Sequence, residues 1–126
     1  MKIILSILVL LLTLLGCQEQ SAHTGDVAMD FIIDTSNGLI HDTWADDEQK
    51  RKYSPLARLS SDSCRETMSR AFEKLMDNRE ALKLLSTDEQ AAMEKVRRSS
   101  PSERDAMKRI LGNRLCGVLS ILARRS

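Results

Sequence analysis

The sequence has few of the side chains that usually do chemistry. It holds two histidines, His23 and His41, and one each of Trp and Tyr among 126 residues. Aromatics are confined to Phe31, Trp44, Tyr53 and Phe72, so a core must be built from Leu, Ile, Val, Met and Ala. Glycines number five and prolines two, which leaves little material for long cleft-forming loops. There is no HExxH, no GxSxG and no glycine-rich phosphate loop. His41 beside Asp42 is conceivable as a base with its orienting acid. A surface histidine in a polar turn is the preferred reading. Asp42, Asp46 and Asp47 lack the spacing and the glycine of an EF-hand, so they read as a solvated acidic helix start. Neither a metal nor another cofactor is implied, no small-molecule substrate is evident, and an enzyme is not expected.

Long apolar runs are also scarce. The one present is Ile3 to Leu15, 13 residues interrupted only by Ser6 and Thr13. At about 1.5 Å per helical residue it reaches roughly 20 Å, short of a bilayer core of about 30 Å. Lys2 precedes it and small Gly16 follows. A charged start, a short apolar centre and a small residue at its end are the marks of a signal peptide.

The site itself reads Leu14-Leu15-Gly16-Cys17, and the chain turns polar at once in Gln18-Glu19-Gln20. This tetrapeptide resembles the lipobox of bacterial lipoproteins. The resemblance implies a diacylglycerol on the Cys17 sulfur, cleavage after Gly16 and acylation of the new amine. In lipoproteins of enteric type, Asp after the lipidated cysteine retains the protein in the inner membrane. Gln18 stands there in this chain, which implies the outer membrane, with the domain facing the periplasm. Acyl chains at about 0.8 kcal/mol per buried CH₂ make such an anchor durable. The expected organisation is a signal peptide over 1–16, a lipidated tether over 17–25 and one helical domain over 26–126.

Charge is balanced in sum and divided in space. Residues 17–48 hold eight acidic side chains and no Lys or Arg, whereas residues 49–126 hold 18 basic and 10 acidic. Either the acidic arm folds back on the basic body, or the basic face meets an acidic partner or anionic headgroups. Nucleic acid is not expected in that compartment. With Cys17 used for lipid, Cys64 and Cys116 form an even pair in an oxidising setting. A bridge between them is expected, and buried free thiols are the alternative.

Helical periodicity dominates, and no stretch alternates at period two. Asp26–Ile33 is a short helix candidate ended by Thr35-Ser36-Asn37-Gly38. Leu39–Tyr53 is a second, with Ser54-Pro55 expected to break it. The best runs from about Asp62 to Leu85, with Cys64, Met68, Ala71, Phe72, Leu75, Met76 and Leu82 on one stripe. Ser63 and Glu66 suit a capping box at its start, and Asn78-Arg79 mark a place to split. Ser86 opens a charged helix to about Arg98, with Ala92, Met93 and Val96 as a thin apolar face. Ser100-Pro101-Ser102-Glu103 opens the last helix, to about Ala123. Its apolar face is Met107, Ile110, Leu111, Leu115, Val118, Ile121 and Leu122. Cys116 falls on its flank, so a bridge requires that flank to turn toward Cys64. The fold class expected is all-α, a small bundle of three to four main helices.

Five methionines lie beyond the signal peptide: Met29, Met68, Met76, Met93 and Met107. Core filling is the preferred reading. A partner groove built on Trp44, Met68, Phe72 and Met76 is the sharper one, since thioethers repack easily. Size, lipid anchor, helix content and paired cysteines are together similar in profile to pilotins. These are small helical lipoproteins that carry secretin subunits to the outer membrane. That profile implies a protein partner in the cell envelope, a subunit of an envelope or secretion machine. The competing class is a plasmid- or phage-type entry-exclusion or immunity lipoprotein, and an enzyme inhibitor is a weaker third.

Overall fold

The computed structural model describes residues 21–125. Among them are six helices: α1 Val27–Ser36, α2 Asp47–Ala57, α3 Ser61–Met76, α4 Arg79–Leu82, α5 Thr87–Arg98 and α6 Pro101–Arg124. There is no strand among the described residues, and the class is all-α. No helix of theirs is long and apolar enough to cross a membrane. The expected signal peptide, Cys17 and the first part of the expected tether lie outside the described residues.

α3 is the central post. α1 and α6 pack on it, and α2 packs on both α1 and α6. Its buried stripe is the expected one: Cys64, Met68, Ala71, Phe72, Leu75 and Met76. Its cap is Ser60, whose hydroxyl accepts from Ser63 N–H, so the helix begins a turn before the expected box at Ser63. The expected split falls at Asp77-Asn78, where Asn78 caps the short α4. The starts at Ser86 and Ser100 hold, with hydroxyls accepting from Glu89 and Glu103 N–H.

α1 extends beyond the expected Ile33 to Ser36 and is buried on every side from Ala28 to Asp34. A helix apolar all round belongs inside a core, not on its surface. It ends at Asn37, and Gly38 takes φ +76° so that Leu39 N–H reaches back to Asp34 C=O at 2.8 Å. Only glycine adopts that left-handed closing geometry without steric cost.

Two expectations are corrected here. Leu39–Asp46 is not helical. Ile40 is buried and Trp44 half-buried within a loop, and Gln49 ties that loop down by accepting from Ala45 N–H and donating to Leu39 C=O. α2 starts after Asp46, whose carboxylate accepts from Gln49 N–H at 2.7 Å. The helix then runs through Ser54-Pro55 to Ala57. A proline inside a helix costs about 3 kcal/mol. Here only one short turn follows it, and buried Tyr53 and Leu56 hold that turn on the core.

The last helix is rotated from its expected orientation. Its buried residues are Gly112, Leu115, Leu119 and Leu122, while Met107 and Ile110 are exposed and Val118 and Ile121 half-buried. At 3.6 residues per turn, this seam lies roughly 80° round the helix from the centre of the expected face. The cause is the Cys64–Cys116 disulfide, with Cα atoms 6.0 Å apart. It draws the Cys116 flank toward α3. Gly112 lies at this contact: a methyl there would sit 3.6 Å from Arg65 C=O, an ordinary van der Waals distance.

The bridge spans a sequence separation of 52 residues. Loop-closure entropy assigns such a cross-link about 4 kcal/mol. Urea unfolding with and without reductant is expected to differ by about that amount. A difference below about 1 kcal/mol would show that the bridge is not formed or does not constrain the unfolded chain. Gly117 faces open space within α6. Gly117→Ala is therefore expected to add about 0.5–1 kcal/mol of stability through helix propensity, read as a higher urea midpoint.

Candidate binding site

α1 carries two acids, Asp30 and Asp34, one helical turn apart on a buried helix. They are 3% and 0% exposed. A buried carboxylate without partners is costly, so each must be satisfied from a neighbouring element. Asp34 accepts from Tyr53 O–H at 2.5 Å and from Ala22 N–H at 2.8 Å. Asp30 accepts from Thr24 N–H at 2.8 Å and Thr24 O–H at 2.6 Å, and pairs with Lys52 Nζ at 3.1 Å. Lys52 Nζ also donates to Ala22 C=O at 2.6 Å. The Phe31 and Tyr53 rings meet edge to face at 5.2 Å above the same network.

The consequence lies in the N-terminal segment. Ser21–Gly25, the last part of the stretch read as tether, is docked onto the fold. Ala22 is 5% exposed, and both its backbone groups are engaged by α1 and α2. Thr24 further accepts from Asp26 N–H, so the segment runs directly into the start of α1.

This clamp forms one wall of an open depression of about 880 Å³. It is lined by Ser21, Ala22 and His23, by Ile33 and Ser36 at the end of α1 with Asn37 and Leu39 just beyond it, and by Lys83–Ser86. Asn37 ties the floor together: its amide donates to Leu84 C=O at 2.8 Å and accepts from Ser86 N–H at 3.2 Å. Leu84 is 46% exposed at the rim, an unusual position for a leucine beside Ile33 and Leu39. The lining mixes apolar side chains with amide, hydroxyl and ammonium groups. It can receive an apolar side chain and bond the backbone that carries it.

The residues named from sequence fall in different places. Cys64 and Cys116 are joined. Met68, Phe72 and Met76 are 1–4% exposed and form core, so they offer a partner no surface. The preferred reading, core filling, holds for these three rather than the groove, with α1 and α6 packed on α3. Trp44 is half-buried against the core. His41 is exposed, and Asp42 pairs with Arg125 at 2.9 Å. Among the described residues no group of His, Cys, Asp and Glu is placed to hold a metal. Asp30, Asp34, Lys52, Tyr53 and Thr24 were not singled out from sequence. The available signal was two acids four apart, Asp30 inside the apolar run Val27–Ile33 and Asp34 at its end, where an amphipathic surface helix would not place them.

No family model, no curated protein and no solved structure matches this chain.

Burial and the neighbouring Asp34 and Asp30 push the Tyr53 phenol well above its ordinary value of 10.0. A raised folded value means the folded state keeps its proton while the unfolded chain loses it. The stability tied to this proton is complete below pH 10 and drains as pH rises above it. As Tyr53 is the sole tyrosine, phenolate absorbance is a clean readout. The expected result is no ionisation at pH 10 and then a rise coincident with loss of helical circular dichroism. A simple titration centred on pH 10 in the folded protein would refute the buried bond. Tyr53→Phe removes one of the two donors to Asp34 and is expected to cost about 1–3 kcal/mol.

Proposed function

We propose that this protein is a non-catalytic lipoprotein of the outer membrane that binds and positions a protein partner of the cell envelope, in the manner of a pilotin. The observation that carries this reading is the position of the depression. One of its walls is Ser21–His23, and Cys17 stands only four residues before Ser21. A segment bound there would be held next to the lipid. Binding and membrane address would then be delivered by one continuous piece of chain, clamped by Asp34 and Lys52.

The partner chemistry that suits the lining is a short amphipathic segment. One apolar side chain would meet Leu84 and Leu39, and its backbone would meet Asn37 and the hydroxyls of Ser36 and Ser86. Helix-in-groove recognition of this kind relies on one or two anchors, with the rest of the contact excluding water.

The test is crosslinking in the native host, followed by capture of the tagged protein and identification of what comes with it. A secretin or other envelope-machine subunit is the expected client. Leu84→Glu is expected to lower its recovery at least tenfold, about 1.4 kcal/mol, with the thermal midpoint unchanged because Leu84 is surface-exposed. Cys17→Ser is expected to leave recovery intact and move the client out of the outer-membrane fraction. If no client is recovered, and deletion raises only plasmid or phage uptake or killing, the exclusion or immunity reading replaces this one.

A further inference from the structure

The exposed cations of this protein are not equivalent. Arg65, Arg70, Lys74, Lys83, Arg97, Arg98 and Arg125 each have a carboxylate partner. Lys50, Arg51, Arg58, Arg79, Lys95, Arg109, Arg114 and Arg124 have no ion pair among the described residues, and of these Lys50, Arg51 and Arg58 are gathered in one place. All three are exposed, and all three lie on the outer side of α2, opposite buried Tyr53 and Leu56. With Ser54 and Pro55 they line an open depression of about 370 Å³, in which Asp47 is the one carboxylate. The cationic strip continues onto α6, where Arg124 lines the adjoining depression with Ala57 and Leu59.

α2 is also the helix that grips the chain leading to Cys17. Lys52, between Arg51 and Tyr53, holds Ala22 C=O at 2.6 Å. From Ala22 to Cys17 is five residues, so the thiol lies within about 17 Å of that grip even when fully extended. A domain of this length is about 33 Å across. A bilayer holding Cys17 must therefore lie on the side of the molecule where Ala22 is clamped. The unpaired strip lies about a third of a turn round the same helix from Lys52.

We propose that Lys50, Arg51 and Arg58 on the outer side of α2 rest on the phosphate headgroups of the bilayer that holds Cys17. The inference rests on the lipid anchor proposed above and adds a second attachment to it. The chemistry recognised is an array of phosphates at a membrane surface. Each basic side chain near an anionic bilayer contributes about fivefold to partitioning, an effect that salt removes. One anchor alone leaves the domain free to swivel. The cationic strip sets which face looks away from the membrane.

The experiment uses the full chain made in a bacterial host that modifies lipoproteins. The protein is reconstituted into vesicles of phosphatidylcholine alone, or of phosphatidylcholine mixed with phosphatidylglycerol. The rate of acetylation of Lys50 is compared with that of Lys95 on α5, a helix that packs on α3 and α6. Lys50 is expected to react several-fold more slowly on the anionic vesicles, with Lys95 unchanged, and high salt should restore its reactivity. Arg51→Glu/Arg58→Glu should abolish the protection without shifting the thermal midpoint. Equal Lys50 rates on both vesicles, or protection that survives the double substitution, overturn the docking face. The mass of the Cys17 peptide separates the two failures. A lipidated Cys17 with unprotected Lys50 leaves the anchor standing and removes the docking face. An unmodified Cys17 overturns both.

Discussion

The structure depends on one buried carboxylate. Asp34 has no solvent exposure and sits on a helix enclosed on all sides. It cannot be satisfied by its own helix, whose backbone donors are already used. Two donors therefore have to be delivered from elsewhere, and each brings an element with it. Tyr53 fixes α2 against α1, and Ala22 N–H fixes the entering chain against both. Asp30, one turn earlier, repeats the demand and draws in Thr24 and Lys52. Breaking one partner of such a network costs more than making the bond contributes, because the remaining charge stays buried. This asymmetry makes the docking of Ser21–Gly25 obligatory for the fold rather than decorative.

The second organising constraint is covalent. Left to its apolar pattern, α6 would present Met107, Ile110, Leu111, Val118 and Ile121 together with Leu115 and Leu122. The bridge to Cys64 selects a seam round the flank instead. Gly112, Leu115, Leu119 and Leu122 then follow each other at spacings of three and four, and the backbone of α3 comes within van der Waals reach of Gly112. The cost is apolar surface left exposed at Met107 and Ile110. In a chain with four aromatic residues, the cross-link and the close helix contact substitute for a large core.

Much of this was legible in the sequence, and the gaps have physical causes. Helix starts at Ser86 and Ser100 were readable because a cap is a local interaction between a hydroxyl and an N–H three residues on. The α3 stripe was readable because it faces one core. The Cys64–Cys116 pairing was expected, but the rotation it imposes on α6 is a tertiary effect that hydropathy alone does not carry. The Leu39–Asp46 loop read as helix because Leu39, Ile40 and Trp44 have helical spacing. Asp46 caps the helix at Gln49 N–H, and the Gln49 side chain bonds the loop backbone at Ala45 and Leu39, which an extended helix would have to pair itself. The candidate site was the least legible part. Ala22, Asn37 and Leu84 are distant in sequence and commonplace as residues, and only the fold makes them neighbours.

The charge division follows from the same geometry. Three of the eight acids in residues 17–48 are committed to cations of the body: Asp26 to Lys74, Asp30 to Lys52 and Asp42 to Arg125. Each of these pairs holds the N-terminal segment, or the loop after α1, onto the bundle. Part of the acidic arm is thereby used in closing the fold. The basic surplus of residues 49–126, 18 basic against 10 acidic, equals the eight acids of that arm, but the two are not paired one for one. A chain whose net charge is close to zero thus presents an uneven surface, with Asp30 and Asp34 buried, Asp46, Asp47 and Glu48 exposed, and unpaired cations on the outer side of α2. An even distribution would have kept the protein equally soluble. The uneven one gives a small helical domain a preferred side, and that side belongs to the helix whose Lys52 holds Ala22 C=O.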